Sequence, residues 1–296
     1  MSIFSPGAAL RWRSLSGSVI MAAGLAAALL LPSAQAQTPK RGGTAVMVLG
    51  TDPLSLSPNT TNSVPDVAAG CLMYDALVRF KKGFEIIPSL AKSWNISADG
   101  LTYRFELEDA SWHDGKPVTS EDVKFTLEEV SSKYGPRFNT AGKFIERIDT
   151  PSPKTVVIQL KRPFGPFLFS LACEQNAAIM PAHVLRGTDI LKNPAILTAP
   201  VGNGPFKIVE WVRGSHIALA RNTNYWRKNE PYLDRVMIKI MPDSSARILA
   251  LRAGEVDYIV PDYVPLNSVP MLQKSPQFMA EEVSYPGSDI IILNTA

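Results

Sequence analysis

The chain has 296 residues, 46% hydrophobic and 19% charged, with a formal net charge of +3. It has no block of like charge, and so lacks the clustered basic stripe of a nucleic-acid binder; no nucleic-acid partner is expected. Its two cysteines cannot hold zinc alone, and no metal or other cofactor is expected.

Residues 1–36 carry charge only at Arg11 and Arg13. An apolar run from Val19 to Leu31, broken by Gly24, is followed by Pro32 and the small-x-small site Ala34-Gln35-Ala36. This is the pattern of a secretory signal, cleaved near Ala36. The run falls short of the ~20 apolar residues needed to cross a bilayer. About 260 residues then remain, enough for two domains.

A strand is predicted over Thr44 to Leu49, followed by an irregular loop from Asp52 to Pro58 with two prolines. Asp66 is placed to cap a helix running to about Phe80, its stripe made of Val67, Cys71, Tyr74 and Val78. Ala98-Asp99-Gly100 forms a hairpin turn. In the next strand Leu101, Tyr103, Phe105 and Leu107 alternate with Thr102, Arg104, Glu106 and Glu108, giving one packed and one wet face. Thr119-Ser120-Glu121-Asp122 resembles a capping box and opens a helix through about Val130. Glu121, Asp122, Glu128 and Glu129 are expected on its solvated face.

Val156, Ile158 and Leu160 mark a further strand, and Pro163 to Phe169 a proline-broken aromatic segment. Pro200 to Pro205 is a tight loop. Phe206 to Trp211 and Ile217 to Arg221 form a hairpin, and Val236 to Ile240 is a strand. Ser244 or Ser245 caps a short helix that Gly254 ends. Val256 to Val260 is the next strand. Cys71 and Cys173 both lie in apolar surroundings. An oxidising compartment permits a bridge between them, and two buried thiols account for the pattern at least as well.

The landmarks recur in a telling order. They are Gly42-Gly43-Thr44, Thr51-Asp52-Pro53-Leu54-Ser55-Leu56, Tyr74-Asp75-Ala76-Leu77-Val78 and Pro88-Ser89-Leu90-Ala91-Lys92-Ser93-Trp94. Asp99 to Tyr103, Trp112 to Thr119 and Glu121-Asp122-Val123 follow. Val201 to Phe206, Asn222 to Trp226 and Ala253 to Asp257 complete the set. In this order they resemble the family 5 extracellular solute-binding proteins, the dipeptide-, oligopeptide- and nickel-binding components of ABC importers.

The resemblance implies a mixed α/β fold of the periplasmic-binding-protein type (type II, cluster C), with mixed sheets and flanking helices. It implies a discontinuous first lobe (residues 37–62 and 198–285), a second lobe (63–197) and a crossover (286–296) toward a third. Ile291-Ile292-Leu293-Asn294-Thr295-Ala296 closes the chain as a strand at its polar exit. An incomplete fold, lacking the third lobe, is therefore expected.

The implied function is capture of a peptide by lobe closure in the periplasm and delivery to the membrane permease of an ABC transporter, by a monomer that does no chemistry. Nickel complexes, opines and oligosaccharides are alternative cargoes within the family, and a truncated fragment that binds nothing is a further alternative. A secreted hydrolase would need a nucleophile–base pair that the sequence lacks. The implied ligand-binding residues are Asp52, Pro53 and Leu54 in one loop and Pro261, Asp262 and Tyr263 in another.

His113-Asp114 reads as part of a turn closed by Asp114-Gly115 rather than as a metal or catalytic pair. His183 and His216 have no companions in sequence. Trp94, Trp112, Tyr225 and Trp226 are expected to pack internally rather than stack on a ligand.

Overall fold

The computed structural model describes residues 40–279. The expected signal peptide and the crossover at 286–296 lie outside the described residues. Among these, no helix is long and apolar enough to cross a membrane.

The strands are β1 (Thr44–Leu49), β2 (Val78–Phe80), β3 (Ile86–Pro88), β4 (Ala91–Ile96), β5 (Thr102–Leu107), β6 (Ile145–Ser152), β7 (Thr155–Leu160), β8 (Phe206–Val212), β9 (His216–Arg221), β10 (Arg235–Ile240) and β11 (Tyr258–Ile259). They form a five-stranded mixed sheet in the order β11-β1-β10-β9-β8, an antiparallel sheet in the order β4-β5-β7-β6, and the ribbon β2-β3. One apolar cluster runs beneath both large sheets, from Leu49, Ile217 and Ile238 to Phe105, Val156 and Ile158.

The alternation in β5 holds. Tyr103, Phe105 and Leu107 are buried, and β5 is hydrogen-bonded on both sides, to β4 and β7. The helix that opens at Ser120 is also as expected. The Asp122 carboxylate accepts the Thr119 N–H at 2.9 Å. Asp122 is not on a solvated face, however. It is 5% exposed, because its other oxygen takes the Ala182 N–H at 3.0 Å. The helix continues through a wider turn over Thr126–Ser131 to Tyr134. The Thr126 hydroxyl donates to the Asp122 carbonyl and accepts the Met180 N–H there.

Three further expectations change. The helix expected from Asp66 to about Phe80 spans only Val64–Gly70. Asp66 does not cap it: its carboxylate holds the N–H groups of Leu54 and Ser55 and the Ser63 hydroxyl. Beyond Gly70 the carbonyls of Leu72 and Met73 accept the N–H groups of Phe206 and Gly204. Once another segment takes those acceptors, the helical ladder cannot continue.

The cap of helix Ser244–Ala253 is Asp243, whose carboxylate accepts the Ala246 N–H at 2.7 Å. A charged acceptor suits the helix dipole better than a serine hydroxyl. Gly254 ends the helix in the left-handed region, as expected. Finally, β11 is only two residues long. Its upstream edge is replaced by the Asp257 side chain, which accepts the Val46 N–H at 2.7 Å, and Pro261 has no N–H to extend it.

Cys71 and Cys173 form a disulfide. Of the two readings left open by the sequence, the bridge is the one realised. It ties the end of helix Val64–Gly70 to the turn Cys173–Gln175.

Four of the segments that carry the family resemblance, 74–78, 112–119, 201–206 and 222–226, meet at one crossing. Gly202 and Gly204 pass against Met73 so closely that a Cβ on Gly202 would lie 1.9 Å from the Met73 carbonyl oxygen. Asn203 accepts the Asp75 N–H at 2.8 Å, and the Asp75 carboxylate accepts from Tyr225 Oη at 3.0 Å and Trp226 Nε1 at 2.8 Å. Tyr225 and Trp226 therefore anchor the fold, as does Trp112, 2% exposed. Burial raises the Asp75 carboxyl above its usual range, against the lowering effect of the two ring donors.

We expect Gly202→Ala to destabilise the protein by about 2 kcal/mol, since backbone has nowhere to move in an overpacked crossing. Urea unfolding monitored by tryptophan fluorescence would measure this, and an unchanged midpoint would refute the close approach.

Candidate functional site

Strands β1, β10 and β11 run parallel. Leu49 sits level with Ile240, and Val48 with Ile259, so their carboxyl ends open onto one edge. Loops leaving that edge of an open α/β sheet are where such folds hold ligands. All six residues predicted from the sequence lie on these loops.

The two loops touch. Thr51 Oγ1 and Tyr263 Oη are 3.1 Å apart. The Tyr263 ring lies over Gly50 so closely that a Cβ there would fall 2.4 Å from a ring carbon. Gly50 thus allows the ring to seat against the end of β1. Asp262 and Pro261 are exposed beside it, and among the described residues Asp262 has no hydrogen-bond or ion-pair partner.

The first loop is used differently. Asp52 accepts the Trp211 indole N–H and the Gly214 N–H, each at 3.0 Å. Arg213 stacks 3.5 Å from the centre of the Trp211 ring and donates to the Pro53 carbonyl at 2.6 Å. Asp52 and Pro53 therefore fasten the loop to the β8–β9 hairpin. Leu54 projects into solvent, 76% exposed. The geometry brings Thr51 and Tyr263 together, leaves Asp262 and Leu54 accessible, and turns Asp52 inward.

Sequence reasoning missed Arg247. It sits early in helix Ser244–Ala253, yet is 6% exposed. Its Nε donates to the Tyr263 carbonyl at 3.0 Å, and its Nη1 to the carbonyls of Met241 and Pro242 at 2.7 and 2.8 Å. It thereby ties the end of β10 to the turn after β11. The signal available was a cation near a helix N-terminus, where the dipole disfavours it.

The histidines also acquire partners. His113 Nε2 donates to the Gly204 carbonyl at 3.1 Å, and its Nδ1 accepts the Gly202 N–H at 3.2 Å. Burial pushes its imidazole from 6.5 to about 4, with Lys207 adding to the fall and Asp114 opposing it. His183 pairs with Asp114 at 2.8 Å, beside a shallow depression of about 500 Å³ lined by Lys116, Glu121, Asp122 and Arg186. His216 contacts Ser215 and Glu210. Among the described residues no group of three or more His, Cys, Asp or Glu is placed to hold a metal ion.

The family model described as bacterial extracellular solute-binding proteins, family 5 middle, matches residues 85–296. The chain is 32% identical over 270 residues to the probable D,D-dipeptide-binding periplasmic protein DdpA of Escherichia coli, covering 88% of this chain and 50% of that protein. It is 36% identical over 214 residues to a putative ABC transporter peptide-binding protein of Brucella ovis, covering 71% and 39%.

Among solved structures, the Helicobacter pylori periplasmic binding protein DppA in complex with the peptide STSA matches with a TM-score of 0.68 and 32% identity, over 80% of this chain and 50% of that one. AgaA from Agrobacterium tumefaciens in complex with agropinic acid matches with a TM-score of 0.71 and 33% identity, over 79% and 46%. The chain thus spans between 39% and 50% of the length of these relatives.

Proposed function

The chain belongs to the bacterial extracellular solute-binding proteins, family 5, and on that premise we propose that it is a substrate-binding component of an ABC importer. The family is one of binding proteins rather than enzymes. In our reading the chain is exported to the periplasm by residues 1–36, captures a peptide without altering it, and presents it to a membrane permease. The match over residues 85–296 is the observation that carries this reading. DdpA and DppA support peptide as the cargo, and AgaA, of comparable similarity, favours an opine as the second candidate.

The proposed site is the edge where the loop after β1 meets the turn after β11, with Leu54, Pro261, Asp262 and Tyr263 facing cargo and Asp52 and Pro53 holding the first loop in place. We take the stretches on either side of residues 63–197 as one lobe and that span as the other, hinging shut on the ligand. Closure removes water, and each polar contact inside strengthens in the lower dielectric.

Mass spectrometry of small molecules that co-purify with the protein tests the cargo directly; recovery of neither peptide nor opine would count against it. Asp262→Ala should weaken binding of the recovered ligand about tenfold, the scale of one hydrogen bond to a charged group. An unchanged dissociation constant would remove Asp262 from the site.

A further inference from the structure

We propose that the ribbon β2–β3 docks on an anionic lipid surface, with Arg79, Lys81 and Lys82 meeting the headgroups and the Phe84 ring seated beside them. The inference goes beyond cargo capture and does not depend on which cargo is held. The two strands pair with each other and stand apart from both large sheets. Their base is fixed, since Val78 is buried and bridges to Ala172. Beyond it Arg79, Lys81, Lys82, Gly83 and Glu85 are exposed. Three of the four charges over residues 78–88 are thus positive. Glu85 lies 3.7 Å from Lys81, but both side chains are more than 60% exposed, and water weakens such a pair. The chain as a whole lacks this bias. Its formal charge of +3 falls to +1 once Arg11 and Arg13 leave with residues 1–36. Attraction to an anionic surface must therefore come from a local patch and not from net charge.

The tip adds aromatic surface to the charge. Phe80 stacks on Phe169 with ring centres 4.4 Å apart, and Phe84 meets Phe80 edge-on at 5.9 Å. All three rings are partly exposed. Gly83 and Phe84 both take left-handed backbone, with φ of 78° and 61°. For a bulky side chain this is an outlier. The turn holds it there: the Lys81 N–H donates to the Glu85 carbonyl at 2.9 Å, and the Phe84 N–H to the Lys81 carbonyl at 3.0 Å. Strain held in this way gathers at sites of function. Here it keeps the Phe84 ring against its aromatic neighbours, next to the lysines. Cations on long stems beside an aromatic ring match a lipid–water boundary. The stems reach the phosphates while the ring lies at headgroup level. Basic residues near an anionic leaflet attract it over a short range that salt screens.

The test is co-sedimentation of the processed chain, from Gln37 onward, with phosphatidylcholine vesicles that do or do not contain phosphatidylglycerol. Residues from Arg41 onward form a compact unit of their own. We expect partitioning onto the anionic vesicles to be stronger by about tenfold, and the preference to vanish at high salt. Lys81→Glu together with Lys82→Glu should remove it. Phe84→Gly leaves the charge unchanged and fits the left-handed backbone without strain; it should weaken partitioning about threefold through the lost ring. Circular dichroism of the variants checks that they fold. Equal partitioning onto both vesicles, or no loss in the double variant, overturns the assignment, and so does Phe84→Gly binding as tightly as the unaltered chain. None of these results bears on the cargo, which stands or falls by its own test.

Discussion

Reducing the Cys71–Cys173 bridge should lower the unfolding free energy by about 4 kcal/mol. The two residues are 102 apart in sequence. Closing a loop of that length removes chain entropy from the unfolded state worth about 4.7 kcal/mol, and native bridges typically contribute 2–5. The loop encloses β2 to β7 and therefore the whole antiparallel sheet. Its ends are fixed by independent contacts. Tyr74 donates to the Ala195 carbonyl at 3.2 Å, and Asn176, in the turn that follows the other cysteine, donates to the carbonyls of Pro58 and Thr61. Little native structure should be lost when the bridge opens, so the effect is mainly on the unfolded chain. For a protein of this size, about 4 kcal/mol corresponds to a melting temperature lower by about 10 °C. Thermal melts with and without reductant, beside the Cys71→Ala/Cys173→Ala pair, measure it. A change below about 1 kcal/mol in both would refute the argument from loop length.

Acidification below pH 6.5 should destabilise the protein through His113. Its folded-state pKa lies near 4, against 6.5 unfolded. The unfolded chain therefore binds more protons between those values, and stability falls as pH drops through the window. At 1.36 kcal/mol per unit, the full loss is on the order of 3 kcal/mol once the pH is below about 4. The cause is geometric. Nδ1 accepts the Gly202 N–H, so a proton there breaks that bond inside the crossing and places a cation near Lys207. Asp75 and Glu174 act in the opposite sense. Burial raises both carboxyls, so their contribution is complete at low pH and is lost as pH rises. His113→Gln isolates the histidine, since an amide can both donate to Gly204 and accept from Gly202. In urea titrations from pH 7 to 4 the histidine protein should lose unfolding free energy relative to the variant as the pH falls. A pH-independent difference would overturn the assignment.

The strands were the most legible part of the sequence. Alternation in β5 and the hairpin β8–β9 report a local fact, which face of an extended chain meets water, and packing does not alter it. The short helix Val64–Gly70 was misjudged because its stripe continued past Gly70. Nothing local says that the Leu72 and Met73 carbonyls will be taken by residues more than a hundred positions away. The two loops named from the sequence lie at the carboxyl edge of the parallel strands, but the contacts within them were not legible. Asp52 looked free and serves as a fastener. Arg247 drew no reading from the sequence and lies buried, 6% exposed, against the second loop.

By itself the sequence determined the family and the mixed α/β class, because those follow from ordered motifs and local periodicity. Only the tertiary structure decided that the cysteines join, that His113, Asp75 and the Gly202–Gly204 loop form one crossing, and that Arg247 lies buried without an acidic partner. Each of these depends on which distant acceptor a given donor meets. That pairing is set by the packing of the whole chain and leaves no mark on the residues next door.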